Sequence, residues 1–246
     1  MKKLAIIIAT PNCPKHSKLP GATEDANTWQ SFLRSPEGGA WEEKEIEIYS
    51  DPSKILLDMV LSNRKSLSLD YALLAFSGHG SYYKSTNNFT ETRMLISDTD
   101  YLTENTFTIK ARRELVIMDA CREYGGELLV ENMANMARAM EASAAIEDRF
   151  RRAREEFDKA LSATPEGRSL VFSCDLNQTA HDISSFTRFL ISDGKRLARE
   201  ARTVCTISIK EAFDAAETKP SEVNYPQKPI YQGQRRSTHF PFSVSV

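Results

Sequence analysis

Residues 3–10 (KLAIIIAT) make an unbroken apolar run stopped by Pro11, the pattern of a strand buried on both faces. Residues 71–76 (YALLAF), 114–118 (ELVIM) and 169–173 (SLVFS) repeat it, whereas 45–49 (EIEIY) alternates and predicts a strand nearer the sheet edge. Between them, residues 23–33 place Ala26, Trp29, Phe32 and Leu33 at helical spacing, with Thr23 as candidate N-cap. Residues 55–61 predict a second short helix. Strands spaced by helices predict βα units, a mainly parallel sheet and right-handed crossovers, with the chemistry at the carboxyl ends of the strands. His79 and Cys121 both stand just past such ends.

The stretch 81–110 is polar and turn-rich, with a small hairpin expected around 93–96, and residues 240–246 (FPFSVSV) predict a last strand. Residues 127–163 contain no Gly or Pro. There Met133, Ala137, Met140, Ala144, Phe150, Phe157 and Leu161 roughly follow helical spacing, so one long helix or a helical pair is expected. The basic run 149–154 (RFRRAR) reads as a solvated helix face balanced by Glu147, Asp148, Glu155 and Glu156.

A chain of 246 residues allows one large domain or two small ones. Thirty-two basic against 34 acidic residues give a net charge of −2, which argues against a general nucleic-acid binder. A hydrophobic content of 41% excludes a disordered chain. The longest apolar runs, 4–9 and 71–76, fall far short of the roughly 20 residues of a membrane-spanning helix. The N-terminal run also stops too early for a secretory signal. Neither a nucleic acid nor a membrane is therefore an expected partner. Cys13, Cys121, Cys174 and Cys205 are scattered, with no CxxC and no Cys/His ligand cluster. No disulfide framework, structural zinc or other metal site is expected, and the compartment reads as the reducing cytoplasm.

Ser77-Gly78-His79-Gly80 and Asp119-Ala120-Cys121-Arg122 supply the parts that a thiol peptidase requires. These are a sulfur nucleophile, an imidazole that titrates near neutrality, and small neighbours that let backbone N–H groups face an oxyanion. Cys121 follows His79 by 42 residues, near the roughly 50-residue His-then-Cys gap of caspases. The two motifs resemble those of the caspase and metacaspase superfamily of cysteine peptidases. Residues 19–26 (LPGATEDA) are similar to the metacaspase first loop and helix start, 173–180 (SCDLNQTA) to the opening of the small-subunit part, and 186–190 (FTRFL) to the helix after it.

The resemblance implies a single α/β domain over 1–246 with the caspase-like fold, a mainly parallel sheet of about six strands flanked by helices. It divides the chain into a large-subunit-like part (1–126), a helical insert or linker (127–165) and a small-subunit-like part (166–246). It further implies that His79 is the general acid/base, that Cys121 is the nucleophile forming a thioester with a protein substrate, and that Gly80 and Cys121 supply the oxyanion-hole N–H groups. Cys13, Cys174 and Cys205 read as inert thiols, and His16, His181 and His239 as surface or loop residues.

Specificity follows from charge. The arginine by which Asp-specific caspases read their substrates would fall at Leu19 and is missing. Asp25, Asp119 and Ser77 match the acidic first pocket of metacaspases, so cleavage after Arg or Lys is expected. Metacaspases often use calcium, but the position seven after Cys121 is Leu128 and the loop after His79 is rich in Asn, Thr and Ser. No cofactor is therefore expected. The linker position of 149–154 adds a second reading for that run, as a self-processing site or an activator contact. For biological role the resemblance points to regulated proteolysis in prokaryotic defence or programmed death. The alternative is a catalytically silent caspase-like scaffold, against which the intact His/Cys pair argues. A flavodoxin-like or receiver domain lacks its phosphate loop or acidic cluster here.

Overall fold

The computed structural model describes residues 1–84, 90–122, 144–180, 185–219, 227–233 and 237–246. In chain order the first half contains β1 (Lys3–Thr10), α1 (Pro20–Arg34), β2 (Ile46–Ser50), α2 (Lys54–Lys65), β3 (Tyr71–Gly78), β4 (Gly80–Lys84), β5 (Thr90–Leu95), β6 (Tyr101–Thr103) and β7 (Arg113–Asp119). Then come α3 (Ala144–Ala163), β8 (Gly167–Phe172), α4 (Phe186–Glu200), β9 (Cys205–Ser208), α5 (Ile209–Ala216), β10 (Ile230–Gly233) and β11 (Pro241–Ser245).

The main sheet has the order β10-β8-β7-β3-β1-β2. Five strands run parallel, and β10 closes the far edge antiparallel to β8. The mainly parallel sheet of six strands flanked by helices matches the architecture that the resemblance implies. Side chains alternate between its two faces. Ala5, Ile7, Ala9, Leu73, Ala75, Leu115 and Ile117 pack under α1, α3, α4 and α5, while Leu4, Ile6, Ile8, Leu74, Phe76, Val116 and Met118 pack on the other face with Leu57 and Leu61 of α2. Both faces are covered, which is why the central strands are apolar without interruption. The order reverses at β1, from which the chain goes first to β2 and later to β3. The crevice at that switch point, above the strand carboxyl ends, is where such sheets bind ligands.

Several expectations are corrected. The first helix begins at Pro20 rather than after Thr23. Proline in the first turn has no N–H to leave unbonded and a φ already set for helix, so the helix needs no Thr23 cap. The stretch expected to hold one small hairpin forms a three-stranded antiparallel sheet, β4-β5-β6, whose Met94 and Leu102 complete the α2-side core. The last strand forms as expected, as β11, and pairs with β9 in a separate two-stranded sheet. The short strands β9 and β10 were not expected from the sequence, and neither was α5, whose Ile209, Ala212, Phe213 and Ala216 stand at helical spacing behind a Ser208/Glu211 capping box.

Of the helical segment, 127–143 lie outside the described residues. α3 is part of the core: Ala153, Phe157 and Leu161 are buried, with the Phe157 ring 6.0 Å from Trp41 and 6.3 Å from Tyr71. Lys3 is buried beneath it, its Nζ donating to Asp158 Oδ1 at 2.6 Å. The basic run is engaged in ion pairs. Arg154 forms two hydrogen bonds to Glu45, at 2.6 and 2.7 Å, Arg149 pairs with Glu37 at 3.2 Å, and Arg151 pairs with Asp148 and Glu155.

Candidate active site

Ser77 and Asp119 are register partners at the ends of β3 and β7, and Ser77 also pairs with Ala9 of β1. They follow Ala75 and Ile117 on the face covered by α1 and α4. Asp25 of α1 meets them there and is almost fully buried, at 1% exposure. Its carboxylate accepts the hydroxyls of Ser77 and Ser185, each at 2.6 Å, and the Arg188 Nε–H at 3.2 Å. Arg188, at the start of α4, also pairs with Glu24 at 2.9 Å. Asp119, at 5% exposure, accepts the Thr187 backbone N–H at 2.8 Å. Burial and the nearby Asp119 charge push the Asp25 carboxyl up to about 7, against the opposing pull of Ser185, Ser77 and Arg188. Burial also raises Asp119, opposed by Thr187, Ser173 and Arg188.

Two residues beyond these partners stand His79 and Cys121, at the same edge of adjacent parallel strands. The contact between their loops depends on glycine. A Cβ at position 80 would lie 2.6 Å from the Cys121 carbonyl oxygen and 2.7 Å from the Ala120 Cβ, so only a residue without one packs there. A Cβ at position 78 would meet Thr10 Oγ1 at 2.0 Å. The Leu95 N–H donates to the His79 carbonyl. That makes 79 and 95 a hydrogen-bonded pair, and leaves the Gly80–Met94 pair with its N–H groups turned away from the ladder.

His79 Nε2 is 2.7 Å from the Ser17 carbonyl. A carbonyl only accepts, so Nε2 carries the proton and, in the neutral ring, the lone pair lies on Nδ1. Burial holds the imidazole below its ordinary value, with His16 acting in the same direction and the Ser17 contact opposing. The His16 ring centroid is 4.8 Å from that of His79. The Cys121 sulfur accepts the Ala180 N–H at 3.4 Å and lies 3.7 Å from the Ala180 carbonyl. The backbone around it is tied to the loop after β8: Ala120 N–H donates to Ser173 Oγ, Arg122 N–H to the Gln178 carbonyl, and Asn177 N–H to the Arg122 carbonyl. A thiol and an imidazole are the residue types that sulfur-nucleophile chemistry uses, and here they stand at the same end of two adjacent strands.

Ala180 and Arg188 lie in the two family-like segments 173–180 and 186–190 but were not assigned to the site, and Ser17 and Ser185 had no signal, because each arrives from a segment distant in sequence. Cys174 is buried with its thiol pushed up by desolvation. His239 contacts the Tyr231 hydroxyl at 3.0 Å. His181 and Leu128 lie outside the described residues. A separate cleft of about 380 Å³, lined by Glu37, Arg149, Arg199 and Arg202 among others, shares no residue with this group. Sequence spacing indicates no metal cluster, yet the fold brings Cys13, His16 and Asp98 together, with potential ligand atoms within 4.8 Å of one another.

A caspase-domain family profile matches residues 2–239. The crystal structure of caspase-1 from Spodoptera frugiperda is similar in fold, with a TM-score of 0.56 at 10% identity, over 94% of this chain and 86% of that chain. Among curated protein sequences none matches the chain significantly. A match over nearly the whole chain, on a fold that this structural neighbour shares, establishes that the chain belongs to the caspase-domain family of cysteine peptidases.

Proposed function

We propose that the protein is an endopeptidase that cleaves after Arg or Lys through a Cys121–His79 dyad. The observation that carries this reading is the β3/β7 register. It pairs Ser77 with Asp119 and so delivers His79 and Cys121 to one edge, with the Gly80 backbone packed on Cys121. In this mechanism the Cys121 thiolate adds to the scissile carbonyl carbon, and the new oxyanion faces the N–H groups of Gly80 and Cys121. The imidazolium gives its Nδ1 proton to the departing amine, leaving a thioester. Neutral His79 then takes a proton from the water that attacks the thioester. Collapse expels the thiolate and the carboxylic acid product, restoring the starting pair.

The acidic group beside the dyad supports the specificity. Asp25 and Asp119 are buried next to Ser77, and Asp25 already holds one guanidinium, that of Arg188. Glu24, Asp25 and Asp119 share one cation, Arg188, and burial raises both aspartyl carboxyls, so a bound guanidinium would favour their ionised forms whereas an aspartate side chain finds no added cation there. The wider role, regulated proteolysis in defence or programmed death, rests on family resemblance alone.

A positional peptide library, read with and without calcium, tests the reading. Wild-type protein is expected to prefer Arg or Lys before the cut, and Cys121→Ala to lose activity by roughly 10⁴-fold or more. Faster cleavage after Asp, or undiminished cleavage by Cys121→Ala, would sink it.

A further inference from the structure

The loop between β1 and α1 contains a Cys-x-x-His turn. The His16 N–H donates to the Cys13 carbonyl at 2.9 Å, closing a turn with Pro14 and Lys15 at its corner, and this holds the two ligand-type side chains near each other. Asp98 arrives opposite them from the connection between β5 and β6. The Cys13 thiol donates to the Asp98 Oδ1 at 3.7 Å. A tetrahedral zinc ion with ordinary Zn–S and Zn–O bonds holds its sulfur and oxygen ligands roughly 3.6 Å apart, so a metal can replace the thiol proton with little movement of this pair. The Lys15 backbone N–H donates to the same Oδ1 at 2.8 Å, the kind of outer contact that fixes a ligating carboxylate. Among the described residues this is the one group of three or more such side chains whose ligand atoms converge. Asp51 acts electrostatically on the Cys13 thiol and adds negative charge. The opposing Lys15 ammonium, 3.9 Å from Asp98 Oδ2, is on a largely exposed side chain that can turn away.

From this geometry we propose that Cys13, His16 and Asp98 form a three-ligand site for a zinc-type transition-metal ion, with the fourth position open to water. Binding replaces the Cys13 thiol proton with a metal–sulfur bond and releases that proton to solvent. The site uses one thiolate, one imidazole and one carboxylate, a set that suits zinc rather than calcium or magnesium. It lies next to the dyad residue His79: the His16 ring packs on the His79 ring, and the following residue, Ser17, accepts the His79 Nε2–H. Occupancy would therefore hold the segment that orients His79, a consequence that rests on the peptidase reading, whereas the binding itself does not.

The test uses the full chain carrying Cys121→Ala, which removes the proposed nucleophile as a competing sulfur ligand. Cobalt(II) is titrated in as a spectroscopic probe. One equivalent is expected to give a thiolate-to-cobalt charge-transfer band with the visible bands of four-coordinate cobalt, and zinc is expected to abolish both. Adding Cys13→Ser is expected to remove the charge-transfer band. His16→Ala and Asp98→Asn, with circular dichroism confirming that each folds, are expected to weaken binding while Cys13 remains. The proposal is overturned if the Cys121→Ala chain shows no thiolate band. It is equally overturned if the band survives Cys13→Ser, or if neither His16→Ala nor Asp98→Asn changes affinity.

Discussion

Asp25 concentrates the opposing forces of the site in one side chain. Its carboxyl is pushed up to about 7, above the roughly 3.9 of an unfolded chain, so the folded state holds its proton over the interval between them. The stability contributed by that proton is fully present below about pH 4 and is lost as pH rises through about 7. Thermal unfolding of wild type measured against Asp25→Asn should show the wild-type advantage shrinking from pH 5 to pH 8. A difference independent of pH would contradict it. The same substitution should raise KM for arginine substrates. Arg188→Ala is expected to act differently, because it removes a guanidinium that competes for Asp25. KM for arginine peptides should fall, while stability at pH 8, where Asp25 is ionised, drops by about 1–3 kcal/mol because a buried carboxylate loses its charged partner. A rise in KM would instead make Arg188 a positioning residue for the pocket.

At the scale of elements, the site is held by backbones that approach too closely for side chains. Gly80→Ala places a methyl 2.6 Å from the Cys121 carbonyl, so the two loops must separate. The expected result is a kcat lower by about 100-fold, the order lost with one oxyanion donor, with KM changed far less. Steady-state kinetics on a folded variant would decide it. α3 carries a second prediction. Phe157 fills the space between Trp41, Tyr71 and the buried Lys3. Truncation to alanine should therefore cost about 3–5 kcal/mol in denaturant unfolding. A removable linker helix would lose far less.

For the whole molecule, α3 bears on processing. A nucleophile reaches a scissile carbonyl only when the surrounding backbone is free to approach it, and 149–154 is helical, with Arg154 paired to Glu45 and Arg149 to Glu37. Intact mass after incubation, compared with Cys121→Ala, is expected to show no cut within 149–154. A cut there would mean that α3 unfolds from the core. Among the described residues no helix is long and apolar enough to cross a membrane.

The central strands were legible in the sequence because burial on both faces leaves an uninterrupted apolar run, as in 3–10 and 114–118. The two chemical motifs were legible because glycine, histidine and cysteine stand just where those runs stop. β9 and β10 were not, and the small sheet was legible only as a hairpin around 93–96, since short strands carry little periodicity and are specified by their partners. Only tertiary structure could bring Arg188 to Asp25, Ser17 to His79, and Asp98 to Cys13 and His16. Each of these contacts joins residues more than 60 positions apart, and its energy depends on a distance that no local pattern encodes.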